Sequence, residues 1–192
     1  MNILICGDSF AADYSVIGTL DYPGWPQILG MKHNVTNVAQ AGCSEYKIYL
    51  QLKQSDLDRF DGVIVFHTSP YRIYVKQHPY LSDTKLHCNS DLIYYDIINQ
   101  PEFKDKEILS TFFEKYFDLD YAKFVHVLIQ QEITKLLHKV FSFHIGLALP
   151  HLDFDASDLF ERHRGQVNHF DPIGNKQLAD ILEQWIQKHD LH

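Results

Sequence analysis

The apolar positions of this chain alternate between short continuous runs and longer stretches with a period near 3.6. Ile3-Leu4-Ile5-Cys6 and Val63-Ile64-Val65-Phe66 are continuous, as expected of strands covered on both faces of a parallel sheet. Residues 34–38 and 141–149, the latter ended by Pro150, predict two further strands. Residues 23–31 carry Trp25, Ile28 and Leu29 at helical spacing, with Pro23 or Pro26 suited to a first turn. Ser44 stands as the N-cap of a helix through Lys53 with Ile48 and Leu52 inward. Residues 106–116 and 121–140 predict helices. The second has Phe124, Val125, Leu128, Ile129, Ile133, Leu136 and Leu137 on one broad stripe. Residues 153–165 read as a polar loop. Residues 172–188 predict a last amphipathic helix that buries Leu178, Ile181, Leu182, Trp185 and Ile186.

Strands alternating with helices around a parallel core predict a doubly wound α/β sandwich with right-handed crossovers. A length of 192 residues suits one domain with a substantial core. Residues 70–105 break the pattern. They have no steady period, hold Tyr71, Tyr74, Tyr80, Tyr94 and Tyr95, and read as an insertion beside the site, their rings either core or a platform for sugar faces.

Composition narrows the classes. An apolar fraction of 45 % is that of a globular chain. A net charge of −8 argues against nucleic acid and against an anionic membrane surface. No run approaches the roughly 18 apolar residues of a membrane span. No basic segment precedes the first apolar run, so no signal peptide is expected and the cytoplasm is the default compartment. Cys6, Cys43 and Cys88 are odd in number and widely spaced, unlike a disulfide framework or a zinc knuckle. Among twelve histidines, His67, His78, His87, His144, His151 and His163 show no ligand spacing, so neither metal nor cofactor is expected. His67, at the end of a buried strand, is either a site residue or a satisfied buried histidine.

Candidate chemistry lies at one sheet edge. The first strand ends at Gly7-Asp8-Ser9, the second leads to Ala41-Gly42-Cys43, and the third ends at His67-Thr68-Ser69-Pro70. Open α/β sheets bind ligands at that edge. A serine needs a base within reach, and His169 precedes the last helix. Ser9 is the candidate nucleophile and His169 the candidate base. The backbone N–H groups of Ser9 and Gly42 are candidate oxyanion donors, glycine at 42 clearing a path for substrate. Asp8 reads as a structural residue bonding loop amides. Arg72 is a candidate anchor for an anionic substrate group or a surface ion-pair partner.

Gly7-Asp8-Ser9-Phe10, then Asn37-Val38-Ala39-Gln40-Ala41-Gly42, then His169-Phe170-Asp171-Pro172-Ile173-Gly174-Asn175 resemble blocks one, two and five of the SGNH (GDSL-type) hydrolases, in order over nearly the whole chain. The resemblance implies a flavodoxin-like three-layer α/β/α sandwich and Ser-His ester hydrolysis of acyl esters, lipids or O-acetylated sugars. Two departures stand out. Where the family's third block places an oxyanion-binding asparagine this chain has Ser69, with His67 in place of a glycine. Where the family's triad aspartate stands, three residues before the histidine, this chain has Gln166, with Asp155, Asp158 and Glu161 as alternative acids upstream. A Ser-His dyad is therefore expected, orienting its imidazole less strongly than a full triad. Acyl transfer onto a glycan hydroxyl and a catalytically impaired binding module are the rival readings. The implied partner is a small-molecule or glycan ester.

Overall fold

The structure, a computed structural model, describes residues 1–13, 21–78, 90–99, 105–166 and 169–189. Tyr80, His87, Cys88, Val167 and Asn168, on which parts of the reading above fall, lie outside the described residues.

Five strands, β1 (Asn2–Gly7), β2 (Asn34–Asn37), β3 (Gly62–Phe66), β4 (Ser142–Gly146) and β5 (Phe154–Asp155), form one sheet in the order β2-β1-β3-β4-β5. Every pairing is parallel, with Ile5 opposite Asn37 on one side and Ile64 on the other. This is the flavodoxin-like order, whose topological switch point lies between β1 and β3. Helices α1 (Trp25–Gly30), α2 (Glu45–Gln54), α3 (Tyr94–Asn99), α4 (Lys106–Lys115), α5 (Leu119–Leu136), α6 (Ser157–Arg162) and α7 (Pro172–His189), with a short 3-10 turn at Leu57–Arg59, complete the described elements.

Side chains alternate across a strand, so the continuous apolar runs feed two cores. Ile3, Ile5, Ile64 and Phe66 meet Trp25 and Leu29 of α1, Leu159 and Phe160 of α6, and Leu178, Leu182 and Ile186 of α7. Leu4, Cys6, Val63 and Val65 meet Ile48 and Leu52 of α2 and Ile133 of α5 on the opposite face. The protein is thus a three-layer α/β/α sandwich. A third, smaller cluster joins Leu92, Ile97 and Phe113, with Ile73 bridged antiparallel to Leu92.

Two expectations change. Residues 153–165 are not a plain loop: they hold β5 and α6. The apolar signal there is short, Ala156, Leu159 and Phe160, and Asp155 starts the helix by accepting from the N–H and hydroxyl of Ser157. In α5 the buried face is His126, Gln130 and Ile133, continued by Leu137, whereas Phe124 and Leu128 are exposed. His126 finds polar partners in the loop after β3 and on α2, Thr68 and Glu45, which a hydrophobic stripe does not register.

This assignment is testable by urea unfolding. Ile133→Ala should cost about 2–5 kcal/mol, whereas Phe124→Ala and Leu128→Ala should each cost less than about 1 kcal/mol. Equal losses at the three positions would return the apolar stripe to the core.

Candidate active site

Glycine closes β1 at position 7, where a side chain has no room: a Cβ would sit 2.8 Å from the Phe66 carbonyl oxygen. The chain then turns, the Ala11 and Ala12 amides both donating to the Asp8 carbonyl. Asp8 Oδ1 accepts from the Phe10 amide at 2.9 Å and Oδ2 from the Thr68 hydroxyl at 2.8 Å. Asp8 is therefore a buried brace between the two loops, and burial raises its pKa against those hydrogen bonds. Ser9, at the head of this turn, is half-buried.

The Phe10 ring joins Ser9's turn to the His169 segment. It stacks on Phe66 (centroids 5.3 Å apart), meets Phe170 edge-on at 5.6 Å, and lies 5.0 Å from the His169 imidazole. Trp25 Nε1 donates to the Phe10 carbonyl. Asn175 locks the other side, its Oδ1 accepting from the Trp25 amide and its Nδ2 donating to the Phe170 carbonyl. Asp171 accepts from the Gly174 amide in the first turn of α7. Ser9, Phe10, His169, Phe170 and Asn175 thereby line one small cleft of about 20 Å³.

Gly42 adopts φ +74°, the left-handed region that favours glycine. A Cβ there would collide with the Ser90 side chain, whose hydroxyl donates to the Ala41 carbonyl. Glycine at 42 is thus required by its backbone conformation and by packing against Ser90. Buried Asp91 holds this loop, accepting from the Ser44 amide and pairing with Lys47 at 2.9 Å. Cys43, adjacent, is fully buried, and that burial pushes its thiol pKa up to about 12, far from thiolate chemistry at neutral pH.

The remaining candidates separate. Ser69 and Arg72 line a groove of about 460 Å³ together with Ser44, Phe112, Tyr116 and Ile129. Gln166 is exposed, and its carbonyl accepts from the His169 amide. Asp155 is occupied with Ser157 and the Ala148 amide, and Glu161 pairs with Arg164. His67 is buried and faces another depression, shared with His144, His151 and Asp153.

His67 belongs to a network that hydrophobic patterning did not reveal. Its Nδ1 donates to Glu45 Oε1 at 2.5 Å, and its Nε2 lies 2.8 Å from His144 Nδ1. Glu45 Oε2 accepts from the Thr68 amide at 3.2 Å and lies 3.3 Å from His126 Nε2, which also donates to the Thr68 carbonyl. The loop after β3, where the resemblance called for an asparagine, is instead pinned by a buried carboxylate and two imidazoles. The available signal was a glutamate directly after the helix cap. Among the described residues no group of three His, Cys, Asp or Glu is arranged to hold a metal ion. None of the described helices is long and apolar enough to cross a membrane.

No protein-family model and no curated protein matches the chain. Among solved structures, a protein from Desulfitobacterium hafniense DCB-2 described as a lipolytic protein of the G-D-S-L family is similar over 98 % of this chain and 73 % of its own, at 11 % identity and a TM-score of 0.38.

The network makes stability pH-dependent. Burial alone would raise the Glu45 pKa, but His67 and then His126 outweigh it and bring it from 4.5 to about 2. Its contribution is therefore present above about pH 4.5 and is lost as pH falls toward 2. Burial, then the charge of His67, lowers His144 from 6.5 to about 4. Over that window the unfolded chain takes up a proton that the folded one refuses, so stability falls as pH drops. Between pH 7 and 4.5 the His144 effect should reach about 2 kcal/mol, read as the difference between wild type and His144→Gln in urea unfolding at both pH values. Parallel losses in the two proteins would remove His144 from the account.

Proposed function

We propose that this chain is a serine-dependent ester hydrolase of the SGNH type, acting through an acyl-enzyme. One observation carries the reading: Ser9, at the carboxyl end of β1, and His169, ahead of α7, line the same cleft although 160 residues separate them in sequence. Ser9 Oγ attacks the ester carbonyl carbon as His169 takes its proton. The imidazolium then returns that proton to the departing alkoxide, leaving the acyl group on Ser9. Water, deprotonated by the same imidazole, attacks the acyl-enzyme and releases the carboxylic acid, restoring Ser9.

The Ser9 and Gly42 amides are the oxyanion donors of this scheme, with Ser69 where the family has its asparagine. Losing one such donor costs about 100- to 1000-fold in turnover, so a modest rate is part of the proposal. His169 acts with Ser9 as a dyad, and Gln166 contributes through its backbone carbonyl, which holds the His169 amide.

Turnover of p-nitrophenyl acetate and butyrate tests this directly. Ser9→Ala and His169→Ala should each lose at least about 1000-fold, and Gln166→Ala should stay within about threefold. A fluorophosphonate probe should label wild type at Ser9. Equal hydrolysis by wild type and Ser9→Ala would remove the nucleophile, and absence of labelling would leave a binding module on a hydrolase scaffold.

A further inference from the structure

The groove beside the loop after β3 is built for more than an apolar chain. Its volume of about 460 Å³ falls in the range of small-ligand sites, roughly 300–1,000 Å³. Phe112, Tyr116 and Tyr121 line it and are exposed. Exposed apolar surface gathered at one concave place marks a binding site.

Two polar groups in its wall lack partners. Arg72 is half-buried and makes no hydrogen bond or ion pair among the described residues, so the surface ion pair considered for it is not formed there. Its charge acts on Asp8 and on Cys43, and Ser69 of the same wall directly follows Thr68, which bonds Asp8 beside Ser9. Ser44 is 4 % exposed, and its hydroxyl has no hydrogen-bond partner among the described residues. Ser44 occupies the N-cap of α2, yet its side chain does not cap the helix. A buried hydroxyl left unbonded is costly, and a helix N-terminus favours an anion.

The acidic residues of the same wall are already engaged. Glu45 is committed to His67, His126 and the Thr68 amide. Asp118 caps α5 by accepting from the amides of Asp120 and Tyr121. Arg72 is thus the cation left for a ligand.

We infer that this groove binds an amphipathic anion, its carboxylate or phosphate held by Arg72 and the Ser44 hydroxyl and its apolar body lying along Phe112, Tyr116 and Ile129. Combined with the esterase reading, on which the identity of the ligand as substrate rests, the preferred ester carries a negative charge on one side of the scissile bond and an apolar body.

Binding, measured by titration calorimetry, tests the site without any turnover. Decanoate, decyl phosphate and 1-decanol are compared below their aggregation limits on wild type, Arg72→Gln, Ser44→Ala and Ser9→Ala. Wild type should bind decanoate or decyl phosphate at least tenfold more tightly than 1-decanol, and the tighter of the two anions identifies the head group. Arg72→Gln should lose about ten- to hundredfold in anion affinity and keep its affinity for 1-decanol. Ser44→Ala should lose about three- to tenfold for the anion alone. Ser9→Ala should bind as wild type does, so a failed nucleophile and a failed anion site give different results. Equal wild-type affinity for the anions and the alcohol, or an unchanged anion affinity in Arg72→Gln, overturns the inference.

Discussion

The Glu45 carboxylate is the interaction on which the rest of the candidate site depends. It is buried in the first turn of α2, where the helix dipole favours negative charge. Burying a carboxylate costs several kcal/mol unless partners restore what water supplied. Here the restoration comes from three partners on two segments: His67 and the Thr68 amide after β3, and His126 on α5. A hydrophobic contact at this place would hold α2 against α5 as well. It would not fix the direction of the loop after β3, which a carboxylate with two directional acceptors does.

That fixed loop passes its position on. Thr68 donates to Asp8, so the turn bearing Ser9 is braced on its polar side by the Glu45 network. Its other side is apolar, with Phe10 between Phe66, Phe160 and Phe170. Gln51 adds a third hold, accepting from the Gly7 amide and donating to the Gly7 carbonyl from within α2. A half-buried serine on a turn gripped from three directions has little conformational freedom left to lose.

The fold was legible because its signal is local. The runs at 3–6 and 63–66 declare strands buried on both faces, and Leu178, Leu182 and Ile186 declare the last helix. The three site segments were legible in the same way, as short strings at strand and helix ends. What was not legible depends on distant pairs. His126 looks like an interruption of an apolar stripe until Glu45 and Thr68 stand opposite. The requirement for glycine at 42 comes from Ser90, 48 residues further on, and no local pattern contains that contact. The α6 segment was missed because six residues with two buried anchors are too few for a period to declare itself.

The two departures from the SGNH pattern are of different kinds. Gln166 leaves the acid position with an exposed side chain, and the His169 segment is ordered by Phe10, Asn175 and its own backbone. At the third block a buried ion network pins the loop. The pinned loop also shapes what lies outside it. A cleft of about 20 Å³ admits a single functional group and little else, so anything larger must rest on neighbouring surface. The loop that the Glu45 network pins contributes Ser69 to the wall of the large groove and leads directly into Pro70 and Arg72. One pinned loop therefore braces the Ser9 turn through Thr68 on one side and forms the groove wall through Ser69 on the other.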